Sequence, residues 1–306
     1  MKTTRREWMT GALGLGLVPT ANLLAVSEAY ERVGSDLKVG LAAYSFRDHF
    51  EFMRGKPNSR RTEESPVMDM PGFVEFCAKH GVEGAELTSY FFPPDADNAD
   101  FAECRRTAHV NGVSIAGTAI GNNFSYPEDA PERAEQMSYV KEWIDRATVM
   151  GAPHIRVFAG KHPKGVTEKE AEENAVGALA EAGEYAAGKG VFLGIENHDS
   201  IRTAETLLRI VKAVDSPWVG VNLDTGNFRA DDPYAEIEAS APYSVNVQVK
   251  TKLEVGGETV STDLDRVVGI LKEAGYAGYV VLEYEEDKDP YENVPPVLEK
   301  LRKLCA

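Results

Sequence analysis

Cysteine is scarce in this chain: Cys77, Cys104 and Cys305 are three thiols among 306 residues, far apart and without C-x-x-C spacing. An odd, unpatterned set argues against a disulfide framework or a zinc knuckle. Positive charge is in deficit, 33 Lys and Arg against 49 Asp and Glu, a formal net charge of -16. Such a surface is repelled by phosphate backbones, so no nucleic-acid partner is expected. No segment reaches the ~18 apolar residues of a membrane span, so no integral membrane segment is expected either. A Gly-rich phosphate turn after an early strand, the mark of an open dinucleotide-binding sheet, is missing as well. So is any linker or composition break that would divide the chain into two domains.

What is present begins with a targeting signature. Thr4-Arg5-Arg6-Glu7-Trp8-Met9 resembles a twin-arginine export motif. A Gly-rich, weakly apolar run follows over 9–18, too short to span a bilayer, and Ser27-Glu28-Ala29 offers a small-x-small cleavage site. Residues 1–29 therefore read as a signal peptide and 30–306 as the mature domain, exported to the periplasm.

The remaining composition, 43% hydrophobic and 27% charged, suits one globular domain of the ~250 residues typical of an α/β barrel. Strand-like runs at 38–46, 82–87, 113–118, 154–158, 191–196, 219–224, 243–250 and 278–284 alternate with helical patterns. These lie at 69–80, 98–111, 131–150, 167–189, 203–214, 233–240, 262–274 and 290–304. Thr167 and Glu170 have capping-box spacing, and Gly81, Gly112, Gly151, Gly190 and Gly275 stand at helix ends. Eight strand–helix units in strict order imply a parallel sheet with crossover helices, closed as a single-domain (β/α)8 TIM barrel. A charged, Gly- and Pro-containing insertion at 54–66 reads as a lid or a contact surface, the latter leaving an oligomer possible.

Side chains alternate across a strand. In the sixth, Val219, Val221 and Leu223 face the helices while Gly220, Asn222 and Asp224 face the lumen. In the seventh, Asn246, Gln248 and Lys250 face inward. Glu196 with His198, and Glu283 with Tyr279 and Val281, share the inward parity of the fifth and eighth. Four adjacent strands thus bring Glu196, Asp224, Gln248 and Glu283 to the C-terminal rim, where barrel active sites lie. Three carboxylates crowded there repel one another, and a dication relieves the repulsion. Carboxylates with a carboxamide oxygen suit a hard ion, Mn2+ or Mg2+ before Zn2+.

The segments Leu41-Ala42-Ala43-Tyr44-Ser45-Phe46-Arg47, Gly84-Ala85-Glu86-Leu87, Gly194-Ile195-Glu196-Asn197-His198, Asn222-Leu223-Asp224-Thr225-Gly226-Asn227, Gln248-Val249-Lys250 and Leu282-Glu283-Tyr284 resemble the xylose-isomerase-like TIM-barrel family. That family includes sugar isomerases, 3-epimerases, inosose dehydratases and type 2 AP endonucleases. The resemblance places its metal ligands on Glu196, Asp224 and Glu283. Gln248 stands where a histidine is usual and Thr251 where an aspartate is usual. It also implies that Glu196 and Glu283 exchange protons with substrate while a metal polarises the carbonyl. Asn227 stands where epimerases carry a histidine, which marks it as a substrate contact.

His198 either bonds a substrate hydroxyl, relays a proton or orients a loop. Arg156 binds a hydroxyl or carboxylate, or pairs with Glu196. Lys250 either stabilises an enediolate oxygen or forms an internal ion pair. Glu86 and Tyr44 are further substrate-binding candidates. Phe46, Phe91, Phe92, Phe124 and Asn122-Asn123 stand in loops near the mouth, and His154 reads as a satisfied core residue. The expected function is metal-dependent isomerisation or epimerisation of a sugar, keto-sugar or polyol by proton abstraction beside a carbonyl. A lyase or dehydratase acting on a keto-sugar or glycoside, and a non-catalytic periplasmic carbohydrate-binding barrel, are the alternatives. The nuclease branch fits poorly, because its zinc clusters need many histidines and six are present.

Overall fold

A computed structural model describes residues 29–34, 36–62 and 64–306; the twin-arginine-like segment lies outside the described residues. Eight strands form a closed parallel barrel: β1 (Leu37–Ala42), β2 (Gly84–Thr88), β3 (Ser114–Ala119), β4 (His154–Val157), β5 (Phe192–Glu196), β6 (Val219–Asp224), β7 (Ser244–Val249) and β8 (Gly278–Leu282). Around it run α1 (Met70–Lys79), α2 (Asn98–Val110), α3 (Pro131–Met150), α4 (Glu168–Lys189), α5 (Ala204–Val214), α6 (Pro233–Ser240), α7 (Leu264–Glu273) and α8 (Pro290–Cys305). The (β/α)8 barrel expected from the alternation is the observed fold.

Local chemistry fixes these boundaries. The Thr167–Glu170 capping box forms at the start of α4, and Gly190 ends that helix in the left-handed region at φ 71°. The inner face of α4 is a stripe of buried small residues, Ala171, Ala175, Ala178, Ala182, Gly183 and Ala186. A Cβ on Gly183 would stand 2.7 Å from Val219, so the helix lies close on the sheet. The apolar parity of the strands packs outward as expected: Val219, Val221, Leu223, Val247 and Val249 are buried. Each such side chain stabilises the fold by about 1.5–3 kcal/mol relative to exposure.

Two differences from the sequence reading matter for the site. The first strand stops at Ala42, and residues 43–46 turn into a 3-10 helix. The insertion contains a short antiparallel ribbon, Phe52–Met53 with Lys56–Pro57, and a second ribbon, Lys252–Val255 with Glu258–Ser261, follows β7. At the opposite end of the barrel, the Tyr30 hydroxyl donates to the Val219 carbonyl at 3.2 Å. The Arg32 guanidinium lies between the rings of Tyr30 and Tyr276. These side chains lie against the start of β6 and the residues just before β8.

Candidate active site

Inside the barrel the expected inward residues separate into two layers. In the lumen, Gln248 Nε2 donates to Glu86 Oε1 at 2.7 Å and Asn246 Nδ2 donates to Glu86 Oε2 at 3.0 Å. Asn222 joins them, donating to Gln248 Oε1 at 2.6 Å and accepting from Asn246 Nδ2 at 2.8 Å. Register shifts beside Glu86 and beside Asn222 bring these groups to one level. Burial pushes the Glu86 carboxyl up to about 7, against the pull of Arg156 and the two amides. Glu86 therefore belongs to this sealed network rather than to the cavity wall.

His154 also lies in the lumen. It is buried as expected, but both ring nitrogens lack partners among the described residues, where a satisfied core residue was expected. Burial lowers its pKa to about 3, which keeps the ring neutral. A Cβ on Gly194 would collide with the ring, and one on Gly117 would come within 2.8 Å of it. These two glycines make its space.

Above this layer opens a cavity of about 360 Å³ at the C-terminal ends of the strands. Glu196, His198, Arg156, Lys250, Glu283 and Tyr44 all line it. Glu196, at the end of β5, is held from two sides: Arg156 Nε stands 2.8 Å from Oε2, and Asn227 Nδ2 donates to Oε1 at 2.7 Å. Of the two readings of Arg156, the pairing with Glu196 is observed, on the cavity wall. Asn227 bridges Glu196 and Lys250 and lies outside the cavity lining.

Lys250 extends just past β7 into a nest of acids. Its Nζ lies 3.0 Å from Asp224 Oδ2, 3.4 Å from Glu283 Oε2 and 2.7 Å from Glu285 Oε2. Burial opposes its charge, but these carboxylates outweigh that and raise its pKa well above the ordinary lysine value. The turn after β6 is shaped to admit the lysine. Thr225 Oγ1 accepts from the Lys250 backbone N–H at 3.0 Å, and Gly226 N donates to Asp224 Oδ1 at 2.8 Å. A Cβ on Gly226 would meet Lys250 Cδ at 2.6 Å.

Burial raises Glu196, with Asp224 adding to the effect against Arg156. Burial likewise lifts Glu283 well above the usual carboxylate range, reinforced by Glu285, Asp224 and Glu196 against Lys250. Burial thus favours the protonated form of Glu283, while Lys250 keeps its charge.

The four expected metal ligands fit a dication poorly in this arrangement. Gln248 pairs in register with Asp224, as the alternation implies. Its carboxamide nevertheless turns into the lumen and is committed to Glu86 and Asn222. The ammonium of Lys250 stands between Asp224 and Glu283, and Glu196 is engaged by Arg156 and Asn227. Among the described residues, no group of three or more His, Cys, Asp or Glu side chains converges to hold a metal ion.

His198 is half-buried, its ring 4.6 Å from that of Phe158 and its Nδ1 3.3 Å from Asp199 Oδ2. Tyr44 packs edge-on to Tyr90. Phe46, Phe91, Phe92 and Phe124 are buried among other apolar residues. Glu285, Tyr90, Arg54, Phe158, Asp199 and Lys161 complete the cavity without having been singled out. Glu285 was within reach of sequence reasoning, since it shares the parity of Glu283. Arg54 was not, because a long insertion folds back to deliver it.

Comparison with known proteins places this geometry. The sequence model described as xylose isomerase-like TIM barrel matches residues 74–304. A 3-oxo-isoapionate decarboxylase of Pectobacterium atrosepticum is 23% identical over 216 residues, 70% of this chain and 68% of that protein. The structure of D-psicose 3-epimerase from Clostridium cellulolyticum H10 superposes with a TM-score of 0.68 at 20% identity, covering 88% of this chain and 99% of that one. The 3-keto-D-glucoside 4-epimerase of E. coli gives a TM-score of 0.65 at 15% identity, covering 87% and 99%. At these identities the structural likeness speaks for the fold.

Proposed function

Since this chain belongs to the xylose isomerase-like TIM barrel family, we propose that it is a sugar-modifying enzyme that isomerises or epimerises a keto-sugar or related polyol. One observation carries the reading: two buried glutamates, Glu196 and Glu283, line a single polar cavity beside the charged ammonium of Lys250. Epimerases are among the proteins of the same fold, which supports the choice.

In this reading Glu196 removes the proton from a carbon next to the substrate carbonyl. The electron pair moves onto the carbonyl oxygen, where Lys250 stabilises the enediolate charge. Glu283, whose burial favours the protonated form, returns a proton to carbon. Solvent then resets the two carboxyls. Because its side chain is largely buried, the Lys250 ammonium acts more strongly than it would in bulk water. Arg156 orients Glu196, and His198, tilted against the Phe158 ring, offers a ring nitrogen to a hydroxyl. The Mn2+ or Mg2+ expected from the sequence has no step here, because the donors named for it are engaged with Lys250, Arg156 and one another.

A lyase is the second reading, favoured by the 3-oxo-isoapionate decarboxylase among the relatives. Loss of CO2 from a 3-oxo acid leaves the same enolate, and protonation by Glu283 would complete that reaction. Export by the twin-arginine route is proposed from the sequence of residues 1–29. Cell fractionation tests it, and a purely cytoplasmic pool of full-length protein would count against it.

The decisive experiment incubates the protein in D2O with a panel of keto-sugars and follows carbon-bound deuterium by NMR. Deuterium should enter next to the carbonyl. Glu196→Gln and Glu283→Gln should each slow it by about 10²–10⁴-fold. Folded protein that exchanges no proton across the panel would overturn the proposal.

A further inference from the structure

The cavity holds two cations beyond those that its acids pair. Arg156 pairs with Glu196, and Lys250 with Asp224, Glu283 and Glu285. Two more cations line the same cavity, Arg54 and Lys161. Neither has a carboxylate within ion-pair distance among the described residues. Lys161 acts on Asp199 from farther away, and Asp199 is already bonded to His198. In a chain with 49 acids to 33 Lys and Arg, two unpaired cations at one mouth call for an explanation.

Both stand on backbone that is held in place. Arg54 and Gly55 form the tight turn of the ribbon joining Met53 to Lys56, with φ of 53° and 74°. Such a turn favours Asn-Gly, and a left-handed arginine costs roughly 1 kcal/mol. The turn is nonetheless anchored over the mouth: Arg54 N donates to the Tyr90 carbonyl at 2.7 Å, and the guanidinium lies 4.2 Å from the centre of the Tyr90 ring. Strain at a cavity-lining residue points to a role there.

Lys161 follows Gly160, whose φ is 93°. Asn123 Nδ2 donates to the Lys161 carbonyl at 2.9 Å, and Ser200 Oγ donates to the Gly160 carbonyl at 3.0 Å. A Cβ on Gly160 would collide with Asn123. The two cations come from the β1 and β4 ends of the barrel, whereas Glu196, Lys250 and Glu283 come from β5, β7 and β8.

We propose that Arg54 and Lys161 form an anion subsite, and that the substrate is an anionic sugar whose terminal carboxylate or phosphate lies between them while its carbonyl faces Glu196 and Lys250. This rests on the reading of the cavity as the substrate site. The planar fork of Arg54 suits an oxyanion, and its aromatic support limits the freedom lost on binding. The subsite also opposes the long-range repulsion of an acidic protein, which is screened beyond about 8 Å at physiological salt.

Calorimetric titration of the purified protein with D-gluconate, D-glucose 6-phosphate and D-glucose tests this without requiring turnover. At least one anion should bind about tenfold or more tightly than glucose, as a charge-assisted contact implies. That preference should shrink as salt is raised. A carboxylate ligand is indicated if gluconate leads, and a phosphate ligand if glucose 6-phosphate leads. Arg54→Asn with Lys161→Gln should abolish the preference. Arg54→Asn alone should raise Tm, since asparagine suits the turn, which separates lost binding from lost folding. Equal binding of all three probes, or a preference that survives in the double variant, overturns the subsite. If the anion preference appears but no keto-sugar or keto-acid exchanges deuterium, the proposed reaction falls and the subsite stands.

Discussion

The lumen layer and the mouth layer are built from the same strands, one or two residues apart, and they solve opposite problems. Asn222, Asn246 and Gln248 close a ring of hydrogen bonds around Glu86. Two residues further along, Asp224 and Lys250, with Glu283 and Glu285 beside them, form a charged cluster in which three carboxylates share one ammonium. A satisfied polar network rigidifies a core, whereas a crowded set of buried charges leaves groups available for chemistry. Proximity to the barrel axis therefore does not identify a functional residue; charge left over after pairing does.

The sharpest way to break this contrast is Lys250→Met. It should lower deuterium exchange by about 10²–10³-fold, as removal of a charge facing the developing oxyanion does. An unchanged rate would return Lys250 to a purely structural ion pair.

The lumen layer should instead reveal itself in stability. Glu86 titrates near 7 when folded and near the ordinary glutamate value when unfolded, so the folded state binds the extra proton between those values. Its contribution is fully present below about pH 4.5 and is lost as pH rises toward 7, by about 3 kcal/mol. Urea unfolding across that range should show this decline, and Glu86→Gln should flatten it. An identical pH profile in the variant would remove Glu86 from the account.

The smallest expected effect is that of a chelator. With Lys250 between the acids, EDTA treatment should leave Tm and exchange unchanged. A stoichiometric ion recovered from the untreated protein, with exchange lost on its removal, would show that the mouth rearranges around a metal.

Periodicity and alternation made the architecture legible. Each barrel strand overlaps its expected position, and the inward parity of Asn222, Asp224, Gln248, Lys250 and Glu283 is observed. Parity names the face of a strand but not the direction in which a flexible side chain turns once inside. Gln248 therefore looked available from the sequence, yet it is committed to Glu86. Lys250 was read as an enediolate partner or an internal ion pair, and its pairing with three acids at once was not foreseen. Arg54 was beyond reach for another reason: its place depends on a ribbon folding back over Tyr90, a contact between distant segments that no local pattern encodes.

The ring around Glu86 packs the lumen beneath the cavity, so the cavity is reached from the mouth of the barrel. Whatever leaves must pass the way the next molecule arrives. Substrate and product therefore share one approach to the same cavity.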